Sequence, residues 1–425
     1  MNTKINSLID DRSNETTALL SKLISFRSTV GNEREIQDYL AEYTSGLGFE
    51  PKLVPMHPGI ESDEDYTTVP GHTGYDGRCN LVFAVPGMGE GKSVILNAHV
   101  DVVPGPDEIF VPRVENSVIW GRGAIDDKCQ VVTILLALAA LKDAGIKLCG
   151  DVTAQFVIEE EVGGNGALSV IMDGMRADGV VVMEPTGLQA YPANRGAVWF
   201  KLAIEGKSTH MGRWREGVNA VEKMMEVIRI LQEYERKLVA ESEGDPLFPD
   251  TAANVKVNIG TIQADGWPSM VCGQCTIEGG IGFLPNKRLS DIRNEVRHAI
   301  EANADDWTRE HYTLEFNRLH NEAYCTPPEH PLMQTIHESV TSLGGPSEIK
   351  GWSASCDARL FRHRGNMPTV VFGAGHFPYA HSLEEQVSID EINTAAKILA
   401  DFLIRWCGHS NTETQRITEN TEEKL

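Results

Sequence analysis

The chain has 425 residues, of which 41% are hydrophobic and 23% charged. That is enough apolar content for a packed core, and the length calls for two or three domains, because single cores rarely grow past about 250–300 residues. Acidic residues (61) outnumber basic ones (38) for a formal charge of −23, which excludes a polyphosphate backbone as the main partner, since that needs clustered Lys and Arg. The longest apolar run, 131–141, is about half the roughly 20 residues a bilayer requires. The N-terminal stretch MNTKINSLIDDRSNETT has no apolar h-region, and eight scattered cysteines form no disulfide framework. A cytoplasmic protein that binds neither membrane nor nucleic acid is expected.

In chain order, 14–28 and 33–48 carry helical apolar spacing, with Gly46 and Gly48 at the end of the second. Residues 58–77 read as a long polar loop. Residues 80–85 and 93–103 are rich in Val, Ile and Leu, as buried strands are. Residues 127–144 read as a buried helix stopped by Gly145, and 152–158 and 179–183 as further strands. Near Arg195 the texture changes: 197–205 alternates with period two, a long amphipathic helix covers 218–238, strands cover 255–262 and 270–283, and a helix covers 289–303. After about residue 316 a strand (369–372) and a closing helix (389–406) return, with Ser388 as N-cap and Glu391 three residues on. The polar tail from His409 reads as mobile. The pattern predicts an α/β fold: a catalytic domain with a central, mostly parallel sheet flanked by helices (1–194 and 317–425), interrupted by a two-layer α+β domain (195–316).

Five chemical elements fall where buried strands end, which is where open α/β sheets bind ligands. His99 and Asp101, two apart on a strand, suit a metal ligand and the carboxylate that orients it. Gly121-Arg122-Gly123-Ala124-Ile125-Asp126-Asp127-Lys128 is a glycine turn opening a helix. It lacks the third glycine of a dinucleotide fingerprint, and a phosphate there would meet two aspartates, so a cation fits better, with Asp127 also serving as helix N-cap. Glu159-Glu160-Glu161 follows an apolar strand, an electrostatically costly run that convergence on a cation explains. Glu184 stands at the mouth of another strand, and His381 opens a late His-Ser-Leu-Glu-Glu segment. Carboxylates with imidazole and no thiolate suit Zn, Co or Mn. Cys272 and Cys275 form a CxxC without a second pair and read as strand cysteines.

In this order, HxD, GRGxxDxK, EEExGG, MEPT and AHSxEE resemble the M20 family of dinuclear zinc amidohydrolases, of the acetylornithine deacetylase and succinyl-diaminopimelate desuccinylase type, over about residues 14–406. The resemblance implies two divalent metals, most simply Zn, with Co or Mn as alternatives. It implies a homodimer built through the inserted (lid) domain, and a small N-acyl substrate whose amide bond is hydrolysed. It makes His99 and Glu184 ligands of one metal, Glu161 and His381 ligands of the other, and Asp126 the bridge. It makes Glu160 the general base and Asp101 the partner of His99, and leaves Glu159 outside the ligand set. His210, in Gly206-Lys207-Ser208-Thr209-His210-Met211-Gly212, would stabilise the oxyanion from the partner subunit.

One position departs from the family pattern. Gly282 stands where many relatives carry an Arg that grips the substrate carboxylate, and glycine cannot supply that clamp. Arg359 is a candidate replacement, and His376 a candidate substrate contact. A deacylase acting on an N-acyl amino acid or related amine is the main expectation; a carboxypeptidase or dipeptidase of the same family is the alternative. A non-catalytic binding protein on the same scaffold is the remote one.

Overall fold

The structure, a computed structural model, describes residues 2–69, 74–316 and 318–409. Residues 410–425, most of the polar tail, lie outside the described residues. The chain forms two compact units. The first contains the chain up to Pro192, Thr326–Ile349 and the chain from Leu360; the second contains Ala193–Cys325 and Lys350–Arg359.

The first unit is built on a six-stranded sheet in the order Lys52–Pro55, Cys79–Val85, Val152–Val157, Val94–His99, Val180–Met183, Thr369–Phe372. The last four strands run parallel, and the first two join them antiparallel at one edge, so the sheet is mostly parallel as expected. Every residue of Val94–His99 is buried, the signature of a strand covered on both faces. That strand is shorter than its sequence suggested. The ladder ends at His99, and the N–H groups of Val100 and Val102 donate instead to the carbonyls of Val157 and Ser28.

Helix Lys128–Asp143 is buried along nearly its whole length and packs on the closing helix Ile389–Cys407. Each large apolar side chain so covered contributes about 1.5–3 kcal/mol, which is why this stretch tolerates no exposed face. Ser388 does occupy the N-cap of the closing helix, but its side chain makes no capping bond. Glu391 turns away and accepts the Gly375 N–H at 2.8 Å. Three short strands, Arg113–Glu115, Val118–Trp120 and Gln386–Ser388, form a small separate antiparallel sheet that the sequence pattern did not reveal. Among the described residues no helix is long and apolar enough to cross a membrane.

The second unit is an antiparallel sheet in the order Lys256–Asp265, Gln274–Phe283, Gly196–Glu205, Tyr312–Glu315, with His320–Asn321 also paired to Gly196–Glu205. Val198, Phe200, Leu202 and Ile204 point to the buried face, where helix Ala220–Ser242 packs on the strands and on helix Leu289–Asn303. The opposite face carries Trp199, 49% exposed. Cys272 and Cys275 are free thiols, and Cys272 precedes the strand rather than lying in it.

Candidate metal centre

The parallel strands deliver their carboxyl ends side by side. His99 closes its strand opposite Val157, directly before the Glu159–Glu161 turn; Glu184 follows Val180–Met183 on the other side of the same strand. Asp126 and Asp127, joined by a cis peptide bond, sit in the turn before helix Lys128–Asp143. His381 comes from the loop after Thr369–Phe372. Glu159 and His381 both hold left-handed backbone, φ 62° and 60°. Non-glycine residues take up such conformations at a cost that surrounding contacts must offset, commonly at functional sites.

Two groups of side chains converge so that one donor atom from each lies within 4.8 Å of the others: His99, Asp126, Asp127 and Glu184, and then Asp126, Glu161 and His381. Asp126 belongs to both. Its Oδ1 is 3.0 Å from His99 Nε2, and its Oδ2 is 3.2 Å from His381 Nε2. Glu161 Oε2 is 2.9 Å from His381 Nε2. Glu160 Oε2 stands 4.0 Å from His99 Nε2. Asp127 was expected to act also as a helix cap, but its side chain makes no capping bond. Its Oδ2 accepts the His99 N–H at 3.0 Å, while its buried Oδ1 has no hydrogen-bond partner among the described residues.

The charges are strained by their own company. Burial, then the negative charges of Asp127, Glu160 and Asp126, holds the Glu184 carboxyl well above its ordinary range. Burial does the same to Asp127, with Asp126 adding to it. Glu161 is pushed up to about 7 by burial and by Asp126. Burial disfavours a charged His99, yet Asp127 and the bonds to Asp101 and Asp126 raise it above normal. His381 reaches about 10 through its bonds to Asp126 and Glu161. Asp126 alone is held low: burial opposes its charge, but the two histidines outweigh it. A divalent cation fits this donor set. It would offset the mutual repulsion and give the orphaned Asp127 oxygen a positive neighbour.

Behind these groups lies a support layer. His99 Nδ1 pairs with the Asp101 backbone carbonyl at 2.9 Å, with the Asp101 carboxylate at 3.5 Å. That carboxylate accepts the backbone N–H groups of Glu160 and Glu161, each at 3.1 Å. Thus Asp101 orients His99 mainly through its main chain and fixes the glutamate turn through its side chain, a division that the HxD spacing alone did not indicate. Glu385 accepts the N–H groups of Ile125 and Asp126 at 3.1 and 3.2 Å and pairs with Arg122 at 2.6 Å. Lys128, buried and pushed down to about 7 by that burial, donates to the Phe26 carbonyl at 2.8 Å. Gly123 must be glycine here: its φ is +84°, and a Cβ would lie 2.6 Å from Lys128 Cδ. Glu159 stays outside both donor groups, bonding Tyr75 and Asn165 at 2.7 Å and Arg78 at 2.6 Å.

The other sequence candidates belong to neither donor group. His376 is largely exposed, 3.9 Å from Glu391 Oε2, and is not in either group. His210 belongs to the second unit, is exposed, and its Nδ1 accepts the Gly212 N–H at 3.1 Å. Arg359 also belongs to the second unit and is 2% exposed. The space above Gly282 is taken by Arg195, whose Nη1 would lie 3.0 Å from a Cβ at position 282. Sequence reasoning passed over Glu385. The double glutamate of the late motif was its signal.

The model of peptidase family M20/M25/M40 matches residues 95–405. The chain belongs to this family. It is 25% identical over 95% of its length to N-formyl-4-amino-5-aminomethyl-2-methylpyrimidine deformylase of Bacillus subtilis, covering 97% of that protein. It is 27% identical over 78% of its length to acetylornithine deacetylase of Pectobacterium carotovorum, covering 85% of that protein. Among solved structures, a tripeptidase from Staphylococcus aureus superposes with a TM-score of 0.74 at 19% identity, covering 93% of this chain and 98% of that one, and so shares the fold. The expectation of an M20 hydrolase acting on amide bonds stands.

Proposed function

We propose that this member of the family hydrolyses the amide bond of a small N-acyl amine or N-acyl amino acid, at a centre that holds two divalent ions, zinc in the first instance. The observation that carries this reading is Asp126, which turns one oxygen to His99 and the other to His381 and so belongs to both donor groups. His99, Asp126 and Glu184 would hold one ion; Asp126, Glu161 and His381 would hold the other. When bound, such ions polarise a carbonyl and lower the pKa of water toward about 7.

The protein's own residues account for proton handling. Glu160 is the general base: it takes the proton of the attacking water and passes it to the departing amine. Its turn is pinned by Asp101 through two backbone N–H groups, and its Oε2 lies 4.0 Å from His99 Nε2. His210 donates a hydrogen bond to the oxyanion of the tetrahedral intermediate, from the partner subunit of a homodimer. Dimerisation through the second unit is supported by large apolar side chains left exposed there, including Trp214 at 63% and Trp267 at 70%. The names of the two relatives, a deformylase and a deacetylase, support a small acyl group.

The deciding experiment is a panel of N-formyl, N-acetyl and N-succinyl amines and dipeptides, run with Zn, Co and Mn, alongside metal analysis of the purified chain. Hydrolysis of a small N-acyl compound with two ions per chain is expected, with loss on chelation. Turnover that survives complete metal removal, or cleavage of dipeptides alone, would overturn the reading.

A further inference from the structure

The three carboxylates of Glu159-Glu160-Glu161 do not all face the donor groups. Glu161 Oε2 meets His381 Nε2 at 2.9 Å, and Glu160 Oε2 stands 4.0 Å from His99 Nε2, whereas Glu159 belongs to neither group. Glu159 is nevertheless fully buried, and its backbone is left-handed, φ 62°. A glutamate keeps such a backbone only where its surroundings over-determine it.

The surroundings act through its side chain. Glu159 Oε2 accepts the Tyr75 hydroxyl and an Asn165 Nδ2–H, each at 2.7 Å, and Oε1 lies 2.6 Å from Arg78 Nη2. Arg78 is gripped in turn by Glu33, its Nε and Nη2 donating at 3.0 and 2.6 Å. Burial and the charge of Glu159 hold the Tyr75 hydroxyl well above its ordinary range, so it stays a donor. Both oxygens of this buried carboxylate are therefore matched, by groups from three separate positions in the chain, and a satisfied buried network of this kind is rigid. The main chain completes the turn: the Gly164 N–H donates to the Glu159 carbonyl at 2.8 Å and the Gly163 N–H to the Glu160 carbonyl at 2.9 Å. Asp101 holds the N–H groups of Glu160 and Glu161, which is one point of attachment. The Glu159 side chain is a second, one residue before the base, and two attachments fix an orientation that one leaves free to pivot.

We propose that Glu159 is a positioning residue: anchored by Arg78, Tyr75 and Asn165, it holds the left-handed backbone that presents Glu160 as general base. This rests on the amide-hydrolase reading and adds to it the residues that set the base in place before reaction.

The test uses the full metal-loaded chain as wild type, Glu159→Gln and Tyr75→Phe. Each is assayed on an N-formyl amine and an N-acetyl amino acid, with metal analysis and with hydrogen exchange of the amides in 159–164 and in helix Lys128–Asp143. Glu159→Gln turns an NH2 toward one of the donors. Its kcat should fall by about 10–100-fold, with KM and metal content unchanged. The amides of 159–164 should exchange about tenfold faster, while those of the helix keep their protection. Tyr75→Phe removes one of the two donors to Oε2 and leaves the Arg78 pair; it should shift kcat and exchange the same way by less, and it serves if Glu159→Gln does not fold. An unchanged kcat, a kcat that falls only in proportion to lost metal, or exchange that quickens equally in the turn and the helix would overturn the assignment. If the wild type hydrolyses no amide, the hydrolase reading fails by itself, and the exchange comparison still decides whether Glu159 anchors the turn.

Discussion

His99 and His381 meet opposite oxygens of a single carboxylate, at 3.0 and 3.2 Å from Asp126 Oδ1 and Oδ2. Two donor groups therefore share one corner, and removing its charge should damage both. Asp126→Asn keeps the shape but offers one oxygen and an amide. It should lower the metal content from two ions per chain to one or fewer and reduce kcat by about a thousandfold or more. Elemental analysis beside turnover checks this; a variant that keeps both ions would show that Asp126 is not the shared ligand.

Asp101 gives a separable effect. Each of its carboxylate oxygens accepts one backbone N–H, from Glu160 and from Glu161. In Asp101→Asn one of those oxygens becomes an NH2 facing another N–H, so the turn carrying the base must shift. The donors themselves remain. Metal content should hold while kcat falls by about 10–100-fold. If kcat falls only in proportion to lost metal, the residue acts on the ions and not on the turn.

Metal loading should depend on pH with a defined sign. Burial and then Asp126 hold Glu161 up to about 7, and hydrogen bonds to Asp126 and Glu161 hold His381 up to about 10. A cation needs Glu161 ionised and the His381 lone pair free, so it displaces protons as it binds. Affinity should strengthen as pH rises from 6 to 8, by about tenfold per unit for each proton released. Calorimetric titration in two buffers of different ionisation enthalpy counts those protons. An affinity that is flat over this range would contradict the site.

Much of this was legible in the sequence, and the physical reasons divide cleanly. The ends of buried strands are marked by a change from Val/Ile/Leu runs to His, Glu or Asp, so His99, Glu161 and Glu184 could be picked out along the chain. The parallel sheet then brings such ends together whatever the loop lengths. What stayed hidden depends on where atoms point. Asp101 reads as a carboxylate partner of His99, and that carboxylate stands 3.5 Å from Nδ1, but the Asp101 carbonyl comes closer, at 2.9 Å. Asp127 reads as one of two cation-binding aspartates and also as a cap; it joins the donor group, but its carboxylate bonds the His99 N–H instead of capping the helix. The expected boundary at 316–317 and the structure's at Cys325 differ because His320–Asn321 pairs with Gly196–Glu205, a two-residue ladder with no sequence signature.

The Arg122–Glu385 pair tests how the turn of Asp126 is held. Both side chains are almost fully buried, 4% and 2% exposed, and Glu385 also accepts the N–H groups of Ile125 and Asp126. Burial pushes the Glu385 carboxyl up, and Arg122 and the two N–H groups pull against it. Arg122→Met removes the cation and leaves a buried carboxylate with only backbone donors. Breaking such a pair costs about 3–5 kcal/mol, more than losing a surface bridge by several-fold. Glu385→Gln, in contrast, leaves an oxygen for the backbone N–H groups and should cost less. Urea unfolding of the two variants gives the order directly. If Glu385→Gln proves the more damaging, the buried Arg122 cation left without its partner costs more than the buried carboxylate does, and the expected order is wrong.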